Sequence, residues 1–95
     1  VSGRIEGKVI AFGETGDLIT DISAPRLQYA PRDERIRIRC DEHETVGMFL
    51  EANSEPEATY MAVLDDRGVL RLRIVGMSAR ELLGIRLGET VVVEW

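Results

Sequence analysis

The chain has little of what metal catalysis, disulfide stapling or polyanion binding requires. One histidine and one cysteine in 95 residues exclude an internal disulfide and leave no Cys/His zinc site at a usable spacing. Aromatic residues make up 5% of the chain, too few for a platform on which nucleic-acid bases stack. The 12 basic residues are outnumbered by 17 acidic ones, and a net charge of -5 argues against the counterion release that drives binding to phosphate backbones. No apolar run approaches the ~20 residues that cross a bilayer, and no secretory leader pattern is recognisable. The expectation is a soluble, cytoplasmic protein with neither membrane nor nucleic acid as partner, and the lone Cys40 fits such a reducing compartment.

What is present suits a globular unit. Hydrophobic residues make up 44% of the chain, enough for a modest core, and residues 1–95 are read as one domain. Among the basic residues only Lys8 is lysine, a bias toward planar, bidentate pairing with carboxylates. The first residue is Val1 rather than methionine, as expected of a processed product or a piece of a longer chain.

Alternation then predicts strands. Ile5, Gly7, Val9 and Ala11 share one face, Leu18, Thr20 and Ile22 share another, and the Gly13–Gly16 loop between them reads as a hairpin turn ending in Asp17. The stretch 23–34, with Pro25 and Pro31, reads as a loop anchored by Leu27 and Tyr29. Arg35 to Cys40 alternates with Ile36, Ile38 and Cys40 inward and the arginines outward. Residues 41–44 form an acidic turn, 45–50 a weaker strand and 51–57 a polar loop. A second hairpin runs from Ala58–Leu64 through the turn Asp65-Asp66-Arg67-Gly68 into Val69–Ile74, with leucine and isoleucine inward and Arg71 and Arg73 outward. Ser78 and Glu81 stand at capping-box spacing ahead of Gly84, which predicts a short helix over 78–83, and Thr90–Trp95 closes the chain as a valine-rich strand. The fold class expected is mainly β: a small β-barrel-like domain of short antiparallel strands with one short helix near the C-terminus.

The residues that invite a chemical role each have a plainer reading. His43 among Asp41, Glu42 and Glu44 lacks a second imidazole or thiol and reads as a solvated turn, so no metal site is expected. Cys40 falls on the inward face, where thiols are usually inert filling. The arginines at 35, 37, 39, 71 and 73 either receive an anion or pair with glutamates across strands, the second being the preferred reading. Tyr60 and Trp95 either stack on a base or belong to the core, again with the second preferred. The Gly13–Gly16 loop is no dinucleotide fingerprint, because a strand and not a helix follows it.

In their joint order these pieces resemble the C-terminal domain of the S-adenosylmethionine hydroxide adenosyltransferases, the family that includes the fluorinases and chlorinases. The resemblance rests on Gly7-Lys8-Val9, then Gly13-Glu14-Thr15-Gly16-Asp17-Leu18-Ile19-Thr20-Asp21-Ile22, which is similar to the family's Asp-x-Phe-Gly-Asn-Leu-x-Thr-Asn-Ile. Thr59-Tyr60, Asp65-Asp66-Arg67-Gly68-Val69-Leu70 and the tail from Ser78 to Val93 match later family segments in order and spacing. The resemblance implies a β-barrel-like domain that holds the adenine side of the ligand at a subunit interface, in a trimer, with catalysis supplied by an N-terminal domain. It places ligand contacts at Asp17, Asp66 and Arg67, with Thr20 and Tyr60 supporting them.

Three positions depart from the pattern. The family's aspartate falls on Gly13, its phenylalanine on Thr15 and its asparagine on Asp17, which when ionised only accepts hydrogen bonds. The expectation is therefore a binding or assembly module that is not an enzyme on its own, with no catalytic residue and no resident cofactor. S-adenosylmethionine or adenosine is the compound that the resemblance allows. Its partners are a homo-oligomer or an N-terminal-domain chain. One alternative is a fragment or subunit of a two-domain enzyme that converts S-adenosylmethionine and water to adenosine and methionine; another is a purely structural interaction domain.

Overall fold

The computed structural model describes residues 3–49, 56–65 and 67–95. Its centre is one long strand, β1 (Arg4–Phe12), which serves two half-sheets. The first part of β1 pairs antiparallel with β7 (Thr90–Glu94), from Arg4 opposite Glu94 to Lys8 opposite Thr90. The second part pairs with β2 (Leu18–Ser23), and the register shifts between Val9 and Ala11. A bulge there lets the strand bend from one half-sheet into the other. Gly7 lies just before the bend, against the side chains of Asp21 and Ile22, where a Cβ would have no room.

From β1 the sheet grows both ways. On one side β7 pairs with β3 (Arg37–Cys40), which pairs with β4 (His43–Val46). On the other side β2 pairs with β6 (Val69–Ile74), which pairs with β5 (Tyr60–Leu64). The order is β4-β3-β7-β1-β2-β6-β5, a seven-stranded antiparallel sheet. Its two edges approach each other: Thr45 Oγ1 donates to the Tyr60 carbonyl at 3.0 Å. Beyond β4, Phe49 N–H donates to Ala62 O at 3.0 Å and Leu64 N–H donates to Phe49 O at 2.7 Å. These bonds cover most of the β5 edge, so the expected barrel-like fold is realised and nearly closed.

The interior holds the predicted inward sets. Leu18, Ile22, Ile36, Ile38, Leu70, Leu72, Val91 and Val93 are fully buried together with Leu27. Leu27 comes from a one-turn 3₁₀ helix, Ala24–Leu27, where the sequence predicts only loop; Pro25 opens it, since proline's fixed φ suits a first turn. Tyr29 does not anchor this segment, because it is 87% exposed and Ala30 takes the inward position. Two further expectations need correction. His43 begins β4 opposite Cys40 instead of lying in a turn, because Asp41 adopts φ 56° and reverses the chain within two residues. The strand expected at 45–50 ends at Val46, since Gly47 at φ 82° breaks it; Leu50 lies outside the described residues.

The short helix α1 (Ala79–Leu83) forms where predicted. Ser78 Oγ accepts from the Glu81 N–H at 3.2 Å, and Gly84 ends the helix in the left-handed region at φ 66°. Gly16 O accepts from the Arg80 N–H at 2.9 Å, which docks the helix onto the β1–β2 loop.

Candidate functional site

Asp17 leads out of the glycine loop and is buried. Its Oδ2 meets Arg71 Nη1 at 3.3 Å, and its Oδ1 accepts from Thr15 Oγ1 at 3.3 Å. Arg71 also donates through Nη2 to Asp65 Oδ2 at 3.2 Å. Asp65 Oδ1 in turn accepts the N–H groups of Arg67 at 3.0 Å and Val69 at 3.2 Å. One guanidinium therefore ties the loop of the first hairpin to the turn of the second. The outward arginine predicted at 71 is half-buried because two carboxylates cover it. A Cβ built on Gly13 would lie 3.4 Å from Arg71 Nη1. Arg71 thus borders the place where the resemblance puts an anion, and Asp17 supplies its counter-charge instead.

Four of the five residues marked from sequence are described, and they are not brought together around one open site. Asp17 is committed to Arg71 and Thr15. Thr20 is fully buried, donates to Leu70 O at 2.6 Å and accepts from Ile22 N–H at 3.2 Å, which makes it a brace between β2 and β6. Tyr60 packs against the core with its hydroxyl buried and without a partner among the described residues, and burial followed by the nearby Cys40 raises its pKa. Arg67 is exposed at its turn, and Asp66 lies outside the described residues.

An open groove lies beside this ion cluster. Thr15, Arg73, Ile74, Gly76, Met77 and Ser78 enclose about 320 Å³. A second groove of about 240 Å³ adjoins it and shares Thr15 and Ser78; Phe12, Arg80 and the Gly13–Gly16 loop complete its wall with Glu81. Arg80 stacks over the Phe12 ring at 4.4 Å. Two glycines shape the region. Gly16 at φ 85° lies directly against Ser78, and Gly76 at φ 76° is covered by Glu57, whose Cγ would stand 2.8 Å from an added Cβ. Sequence reasoning found the loop and Ser78 separately. It could not pair them, because no local pattern records a contact between distant segments. A third groove, lined by Gln28, Tyr29, Pro31, Arg35 and Trp95, lies elsewhere, and its Arg35 is already paired with Asp33 at 2.9 Å.

Over 95% of its length this chain is similar to the crystal structure of an uncharacterized conserved protein from Thermotoga maritima, with a TM-score of 0.75 at 16% identity. Over 93% it is similar to a conserved hypothetical protein from Thermus thermophilus, with a TM-score of 0.71 at 28% identity. The chain spans 35% and 34% of those two chains, about a third of each. The Thermotoga likeness establishes a shared fold. No family model and no curated protein matches the chain.

Other chemistry finds less to work with. Among the described residues no group of three histidine, cysteine or acidic side chains could hold a metal ion, and no helix is long and apolar enough to cross a membrane. Cys40 is buried, and that burial, with Glu89 and Asp41 adding negative charge, pushes its pKa up to about 12. A thiol held neutral in this way is a poor nucleophile.

Proposed function

We propose that this chain is a ligand-binding module for a nucleoside-like compound and is not catalytic by itself. The groove shared by the glycine loop and the Gly76–Ser78 segment carries this reading. Its volume of about 320 Å³ falls at the lower end of small-molecule sites, and hydroxyl, thioether and guanidinium groups converge on it. The resemblance to the adenine-side domain of the adenosyltransferases supplies the ligand class. The residues expected to contact that ligand are thereby revised to Thr15, Gly76 and Ser78, with Asp17 supporting the loop from behind through Arg71.

Calorimetry with adenosine tests this reading. Saturable binding, lost when Met77→Trp fills the groove, supports it; absence of binding leaves a purely structural module as the better description. S-adenosylmethionine is expected to bind weakly or not at all, because its aromatic wall and its anion are replaced at Thr15 and Gly13.

A second reading is favoured by the span of the chain, about a third of each structural neighbour. In it the module completes a two-domain adenosyltransferase or joins an N-terminal partner chain, and the groove faces that partner within an oligomer. Release of adenosine and methionine from S-adenosylmethionine by the full reading frame would separate the two readings.

A further inference from the structure

The arginines of β6 differ in one respect that the nucleoside reading leaves unexplained. Arg71 is held between two carboxylates, whereas Arg73, also half-buried on the same face of the strand, has no hydrogen-bond or ion-pair partner among the described residues. Among the described residues the Nε atoms of both arginines are buried without a partner, so the difference lies in the carboxylates that hold the Nη atoms of Arg71 alone. Every other arginine without a carboxylate partner is exposed, where water satisfies it. A half-buried guanidinium without a carboxylate partner is a group that a planar or tetrahedral oxyanion satisfies through paired hydrogen bonds.

We infer that the ligand carries an oxyanion, which Arg73 receives inside the groove together with the Thr15 and Ser78 hydroxyls. Arg73, Thr15 and Ser78 all line that groove. The adjoining groove has Arg80, but it also has Glu14 and Glu81. In the Arg73 groove the lining holds no carboxylate, although Glu57 lies against Gly76 at its wall, and a nucleoside bearing a phosphate would direct that phosphate to Arg73. Such a site favours a nucleotide over a sulfonium compound. The inference rests on the nucleoside reading for the body of the ligand, but not for its charged group.

The test compares adenosine, adenosine 5′-monophosphate and inorganic phosphate on the 95-residue chain and on its Arg73→Gln and Arg73→Lys variants. Affinities come from calorimetry and sites from amide chemical shifts, and thermal melts show that the variants are folded. The monophosphate should bind at least about tenfold more tightly than adenosine, as expected of charge-assisted hydrogen bonds. Arg73→Gln should remove that preference by weakening the monophosphate far more than adenosine, and Arg73→Lys should keep only part of it. Equal affinities, or a loss in Arg73→Gln that is the same for both compounds, would overturn the inference while the nucleoside reading stands. Phosphate shifting Thr15 and Ser78 in an Arg73-dependent way, without adenosine binding, would keep the oxyanion site and defeat the nucleoside reading. No binding by any of the three defeats both.

Discussion

Gly16 lies against Ser78 so closely that a Cβ on the glycine would occupy the serine side chain. The contact joins the first hairpin loop to the cap of α1, and the glycine's φ of 85° makes the approach possible. Gly16→Val should therefore be destabilising twice over, through the left-handed backbone and through the lost contact. The backbone alone accounts for about 1–3 kcal/mol. Each kcal/mol lowers the melting temperature of a domain this size by about 4–8 °C. Gly88→Ala provides the control: its φ is 88°, but nothing lies within 4 Å of the added Cβ. Thermal melts should show the first substitution to be clearly the more damaging.

Removing Arg71 should leave Asp17 and Asp65 as uncompensated, largely buried charges, their side chains being only 4% and 11% exposed. Breaking such a cluster from one side is expected to destabilise by about 3–5 kcal/mol. Arg71→Met should show this in denaturant unfolding. Adding Asp17→Asn to Arg71→Met should recover part of the loss, because one stranded charge is then gone.

Thr20→Val should reduce stability and leave adenosine affinity unchanged. The hydroxyl is fully buried and joins Leu70 to Ile22, so its removal strands a carbonyl and an N–H, a penalty of about 1–3 kcal/mol. Paired urea melts and calorimetry separate this from the supporting ligand role expected at position 20.

Alkaline pH should unfold the chain progressively. Both Cys40, at about 12, and Tyr60 have pKa values raised by burial, so the folded state retains protons that the unfolded state gives up. Their contribution is complete below the unfolded values, about 8.5 for cysteine and about 10 for tyrosine, and is lost as pH climbs toward the folded ones. Melting temperature should be level near pH 8 and fall through pH 9 to 11, less steeply in Cys40→Ala. At pH 8, iodoacetamide should label Cys40 only in denaturant.

Much of the fold is legible in the sequence because its strands are half-buried and therefore alternate. Ile36, Ile38 and Cys40 turn inward as their spacing requires, and Ser78, Glu81 and Gly84 mark the helix through local hydrogen-bonding chemistry. Tyr29 and His43 escape that logic, because a 3₁₀ turn and a two-residue reversal depend on backbone angles that composition does not encode. The candidate site is less legible. Arg71 and Arg73 look alike in sequence, and only the arrival of Asp17 and Asp65 from two different turns makes one a tie and leaves the other without a carboxylate among the described residues.

Amide chemical-shift mapping during an adenosine titration of the intact chain tests the central claim most directly. Saturable shifts centred on Thr15, Gly76 and Ser78 are expected, with the residues around Tyr29 and Trp95 unmoved. A flat titration, or shifts confined to the Tyr29 and Trp95 groove, would contradict it.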